Sequence, residues 1–63
     1  MPVVIVEMWE GRSVDQKRRL VSGITEAFVQ IGVPAEAVQV VIQDVPKHNW
    51  GMGGRLASEM SGG

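Results

Sequence analysis

Residues 13–32 read SVDQKRRLVSGITEAFVQIG, and the spacing within this stretch decides the fold. Ser13 and Gln16 have the separation of a capping box, in which a hydroxyl N-cap and an amide three residues later satisfy each other's backbone N–H groups. Beyond them, Leu20, Val21, Ile24, Ala27, Phe28 and Ile31 recur at three- and four-residue steps. Asp15, Arg18, Arg19, Glu26 and Gln30 fall largely on the opposite side. The pattern predicts an amphipathic helix of about 18 residues, ~27 Å long. Gly32 suits the left-handed position just past a helix end, and Pro34 prevents continuation.

Two β-rich runs flank this helix. Residues 3–9, VVIVEMW, are apolar at nearly every position and read as a strand buried on both faces. Glu10, Gly11 and Arg12 break the run as a loop. In residues 38–45, VQVVIQDV, alternation puts Val38, Val40, Ile42 and Asp44 on one face and Gln39, Val41, Gln43 and Val45 on the other. Strands joined through a long helix should be parallel, with a right-handed crossover. A two-stranded sheet under one helix leaves a face and two edges for partner subunits. In the remainder, Gly51 to Gly54 (GMGG) predicts a tight turn, with a small hairpin that reaches onto a neighbour, and residues 60–63 are expected to fray. The expected architecture is α/β: one domain over residues 1–63, a single β-α-β unit with two parallel strands, one long helix and a small C-terminal hairpin, completed by oligomerisation.

Size makes that association necessary. A domain of 63 residues buries only about 60% of the surface its unfolded chain exposes, and chains this short usually need a staple. The absence of Cys excludes disulfides, and one His with seven scattered carboxylates offers no structural metal site. Partner subunits remain. A net charge of −1 with dispersed Lys and Arg speaks against nucleic acid. No apolar run approaches the roughly 20 residues that span a bilayer, and Glu7 and Glu10 interrupt any signal-peptide pattern. A soluble, cytoplasmic protein is expected.

Four residues are candidates for chemistry. Pro2 follows the initiator Met, which is generally removed before a small residue; removal would expose a secondary amine. A free α-amino group titrates near pKa ~8, and desolvation or nearby cations lower it further, which suits a general base. A proline that merely begins an edge strand would look the same. Arg12, on a loop between strand and helix, can grip a carboxylate bidentately or can be a solvated loop charge. Trp50 either packs at a subunit interface or walls an apolar pocket. Trp9 faces the same choice, and core or interface is the favoured reading. His48 has no partner spacing for a triad and is read as a surface residue, and the GMGG turn lacks the Lys and Ser/Thr of a phosphate loop.

Met1-Pro2 before an apolar strand, Glu10-Gly11-Arg12-Ser13 with Gln16-Lys17 opening a helix, and Trp50-Gly51-Met52-Gly53-Gly54 with Leu56-Ala57-Ser58 together resemble the 4-oxalocrotonate tautomerase (2-hydroxymuconate tautomerase) family of the tautomerase superfamily. The resemblance covers nearly the whole chain. It implies a homohexamer built as a trimer of dimers, and cofactor-independent keto–enol tautomerisation of small enol or dienol carboxylic acids such as 2-hydroxymuconate or phenylenolpyruvate. It further implies that Pro2 is base and then acid, that Arg12 of a neighbouring subunit binds a carboxylate, and that Trp50 replaces an aromatic, usually Phe, in the pocket around the proline. The chain departs from the family at Gln39, where a second Arg is usual. A neutral amide lacks the charge-assisted bidentate contact, a loss of ~2–4 kcal/mol or roughly 30- to 1,000-fold in rate. Arg55 and Lys47 are the cations that could take over its role. Two alternatives stand beside this reading: a hydratase or dehalogenase of the same superfamily, and a catalytically idle oligomer or binding subunit.

Overall fold

The computed structural model describes residues 1–60. The elements are β1 (Val3–Trp9), α1 (Val14–Gln30), β2 (Gln39–Val45), β3 (Gly51–Met52) and β4 (Arg55–Leu56), with single turns of 3₁₀ helix at Ala35–Ala37, Lys47–Asn49 and Ala57–Glu59. The expectation of fraying at residues 60–63 falls, beyond Met60, on residues outside those described.

Both ends of α1 form as their residues dictate. The Ser13 Oγ accepts from the Gln16 backbone N–H at 3.1 Å, and the Gln16 Oε1 accepts from the Ser13 N–H at 3.0 Å. At the other end Gly32 takes φ +96°. Its N–H reaches the Val29 carbonyl at 3.0 Å, and the Val33 N–H reaches the Phe28 carbonyl at 3.1 Å, the paired bonds of a Schellman motif. On the solvent side of the first turns, Asp15 pairs with Arg18 and Arg19.

β1 and β2 are parallel and in full register, from Val3 opposite Gln39 to Trp9 opposite Val45. The side chains that share the helix-facing side are Val4, Val6 and Met8 on β1 with Val40 and Ile42 on β2, all half-buried. Leu20, Val21, Ile24 and Phe28 of α1 are half-buried as well, while Ala27 and Ile31, at the edge of the expected apolar stripe, are exposed. Lys17 ties the start of α1 to Asp44 near the end of β2.

The outer face of the sheet differs from the two-sided burial expected of β1. Val3 is 54% exposed, Ile5 61% and Val41 44%. One helix can cover one face only, so alternate residues of a continuously apolar strand are left bare within the chain. Among the described residues a single apolar one, Ala57, is fully buried. The chain exposes 4654 Å², against roughly 4,000 Å² for a compact monomer of its mass. Its radius of gyration is 14.8 Å, where a compact chain of this length has about 11 Å. The fold is the β-α-β unit with its hairpin, and it is more extended than a compact monomer of its length.

The hairpin closes through Gly53 and Gly54, at φ +60° and +83°. Positive φ at both central residues is what a two-residue type I′ turn demands, and glycine meets it without strain. The Ala57 N–H donates to the Trp50 carbonyl at 2.7 Å, folding the hairpin back on the Lys47–Asn49 turn.

Candidate functional site

The sequence candidates divide between the two ends of the sheet. Pro2, half-buried, precedes β1, and its carbonyl accepts the Gln39 backbone N–H at 3.0 Å. Gln39 opens β2 in the adjacent register position, and its side-chain Nε2 donates to Met1 Sδ at 3.4 Å. Pro2 and Gln39 are therefore neighbours within one chain.

Arg12 and Trp50 lie at the far end. Seven residues of β1 at about 3.3 Å each separate Pro2 from the loop bearing Arg12 by more than 20 Å. No small carboxylic acid bridges that distance within one chain. Arg12 lines two adjoining clefts that share Met8. One, about 230 Å³, is bounded by Gln16, Lys17 and Leu20. The other, about 320 Å³, is bounded by Trp9, Glu10, Gly11 and Lys47. The capping box directly after Arg12 fixes where the loop enters the helix, while Arg12 itself makes no ion pair with any described residue.

Trp50 is half-buried and meets Trp9 edge-on, with ring centroids 5.9 Å apart at 77°. Lys47 lies over the Trp9 ring, its Nζ 4.9 Å from the centroid, close enough for a cation–π contact. Of the two cations considered as replacements for an Arg at position 39, Lys47 is thus held at the opposite end of the sheet from Gln39 of the same chain. Arg55 donates to the Glu59 carbonyl at 3.1 Å in the hairpin region. His48 is exposed. No group of three His, Cys, Asp or Glu able to hold a metal occurs among the described residues, and none of their helices is long and apolar enough to cross a membrane.

Sequence reasoning favours core or interface over a pocket wall for Trp9 and considers Lys47 only as a replacement for an Arg at position 39, whereas both line the cleft with Arg12. The available signal was the pair of tryptophans at the end of a strand and the start of a hairpin. What joins them is the short turn after Pro46, whose geometry is not encoded in a simple periodicity.

The family model for tautomerase enzymes matches residues 2–60. A 2-hydroxymuconate tautomerase of Comamonas testosteroni is 44% identical over 61 residues, covering 95% of this chain and 97% of the relative. Among solved structures, one of the 4-oxalocrotonate tautomerase isozymes from Methylibium petroleiphilum superposes with a TM-score of 0.85 at 43% identity, covering 90% of this chain and 94% of that one. A heterohexameric 4-oxalocrotonate tautomerase from Chloroflexus aurantiacus superposes with a TM-score of 0.87 at 34% identity, covering 95% and 98%. With the β-α-β unit, the hairpin and these relatives in agreement along almost the full length, the chain belongs to the tautomerase family and is an isomerase.

Proposed function

We propose that the protein is a cofactor-independent keto–enol tautomerase of small enol or dienol carboxylic acids, of the kind represented by 2-hydroxymuconate and phenylenolpyruvate, and that it works as a homo-oligomer, a hexamer by analogy with its relatives. Pro2, freed of Met1, is the base and then the acid. The enol O–H gives up its proton, the C=C electrons shift as C=O forms, and a proton is delivered to carbon, so the reaction is redox-neutral and needs no co-reactant. Arg12 of a neighbouring copy holds the substrate carboxylate. Trp50 forms part of the apolar surround that disfavours a charged amine. Gln39 offers a neutral donor where a second guanidinium is usual in the family.

The observation that carries this reading is the separation of Pro2 from Arg12 in a chain that lacks a closed core. One association step would bury the bare sheet face and bring the amine of one copy to the guanidinium of another. Loss of Met1 would also free the Gln39 amide from its side-chain partner, Met1 Sδ, at the end of the sheet where the prolyl nitrogen emerges.

The test is the intact mass of untagged protein purified from cells, followed by an assay with phenylenolpyruvate. The expected outcome is a mass lower by one Met and an activity that falls about 10²- to 10⁴-fold in Pro2→Ala, the usual scale for a general base. A retained Met1 in an active enzyme would overturn the role of Pro2, because an amide nitrogen has no lone pair to offer. A second reading, a binding subunit paired with a distinct active chain, draws support from the heterohexameric relative and from Gln39. Retained Met1 with no activity would favour it.

A further inference from the structure

Trp9 ends β1 on the outer side of the sheet and forms a wall of the 320 Å³ cleft that also contains Arg12. Trp50 meets its ring edge-on, Lys47 lies over it, and 36% of the residue remains exposed. The cleft therefore joins an aromatic wall to an unpaired guanidinium, with Glu10 the one carboxylate in its lining. Its volume falls at the lower end of the range for small-ligand sites. A dienol diacid offers the aromatic wall only a narrow conjugated chain, whereas an aryl ring can meet the exposed indole edge-to-face or offset over a larger area.

The charge map gives a second, independent observation. All six cations are Arg12, Lys17, Arg18, Arg19, Lys47 and Arg55, on the loop after β1, the first turns of α1, the turn after β2 and the hairpin. Around Pro2 and Gln39 the chain supplies none. The last turn of α1 carries no basic residue, its carbonyl end bears partial negative charge, and Glu36 stands just before β2. A substrate held by Arg12 at one end would thus bring a second carboxylate, if it had one, to an amide and a negative helix end.

We propose that Trp9 is a specificity-determining residue and that the site selects aryl-substituted enol monoacids over dienol diacids. The ring packs on Trp9, the carboxylate sits on Arg12, and the reacting carbon lies between them. This rests on the assignment of Pro2 and Arg12 made under Proposed function.

The first experiment compares kcat/KM for phenylenolpyruvate and 2-hydroxymuconate in the wild type, Trp9→Leu and Trp9→Phe, with the oligomeric state of each checked by light scattering. Trp9→Leu is expected to lower kcat/KM for phenylenolpyruvate about 3- to 10-fold, chiefly through KM, and to change the diacid less than about twofold. Trp9→Phe should retain the aryl preference. Equal losses on both substrates, or an unchanged ratio, would overturn the proposal.

The second experiment holds even where Trp9→Leu fails to assemble or no enol acid turns over. The chain has two tryptophans, so Trp50→Phe leaves Trp9 as the sole indole emitter. Saturable quenching by 3-phenylpropionate but not by adipate is the expected result, and equal responses or none would overturn the role of Trp9. An inactive wild type whose Trp9 emission still discriminates the two acids would count against Pro2 catalysis and in favour of the aryl subsite.

Discussion

The two ends of the β1–β2 sheet are chemically unlike. Where the strands begin, the chain offers Pro2, the amide of Gln39, a helix end without basic residues and Glu36. Where they finish, it offers Arg12, Lys47, the Trp9–Trp50 pair and the positive end of α1, drawn in by the Lys17–Asp44 bridge. One end has the candidate base without a cation, and the other has the cations without that base. A compact monomeric enzyme would keep both within a few ångströms. Here the strand length holds them more than 20 Å apart, so under the proposed function the complementarity would run between copies. In the proposed assembly one association would cover apolar surface and juxtapose the two halves of the chemistry.

The largest effect expected is on that association. Ile5, 61% exposed in the middle of the outer face and opposite Val41, should become Lys at great cost, because burying an unpaired ammonium costs several kcal/mol. Ile5→Lys is expected to reduce the mass seen by light scattering toward that of the 6.8 kDa chain and to abolish activity with it. An Ile5→Lys protein that stayed assembled and active would mean that the outer face is not what the copies share.

A smaller effect, and a sharper one, comes from mixing. Arg12→Ala should lower kcat/KM about 10²- to 10³-fold, the cost of removing a charge-assisted contact from a water-poor site. Pro2→Ala, with its expected loss of about 10²- to 10⁴-fold, is defective by itself as well. When the two variants are unfolded together and reassembled, about a quarter of the sites in a random mixture pair an intact Pro2 with an intact Arg12 from another copy. Activity near that fraction is the expected result. If the mixture stayed as inactive as its components, the two ends would not meet between copies.

Much of the fold was legible because its signals are local. Ser13 and Gln16 set one end of α1, Gly32 and Pro34 the other, and Gly53–Gly54 the hairpin turn; each acts through backbone geometry within four residues. The faces of β1 were not legible. VVIVEMW is apolar at almost every position, so periodicity cannot say that the helix takes Val4, Val6 and Met8 and leaves Val3 and Ile5 bare. The limits of the helix stripe depend in the same way on how far the sheet extends, which is why Ala27 and Ile31 lie outside it. Of the candidate site, Pro2 and Gln39 are adjacent through strand register, which alternation alone does not supply. The Trp9–Lys47 contact depends on the turn after Pro46 and had no sequence signature.

The smallest effect concerns how firmly the cation-bearing end is held. The capping box satisfies two N–H groups at the start of α1 and fixes the backbone of Ser13, the residue next to Arg12. Ser13→Ala removes the hydroxyl acceptor and should cost about 1 kcal/mol of stability, read as a lower denaturation midpoint. The opposite end of the helix has no such link to a candidate site residue. Gly32→Ala meets no atom within 4 Å, yet an L residue at φ +96° is strained, so a loss of about 1 kcal/mol or more is expected there as well. The two variants therefore differ little in stability and should differ in catalysis. Ser13→Ala is expected to raise KM a few-fold through a less ordered Arg12, and Gly32→Ala to leave KM unchanged under conditions where both remain folded. Equal KM values would show that the cap stabilises the helix without positioning the guanidinium. The two ends of the molecule would then differ in composition but not in how tightly each is built.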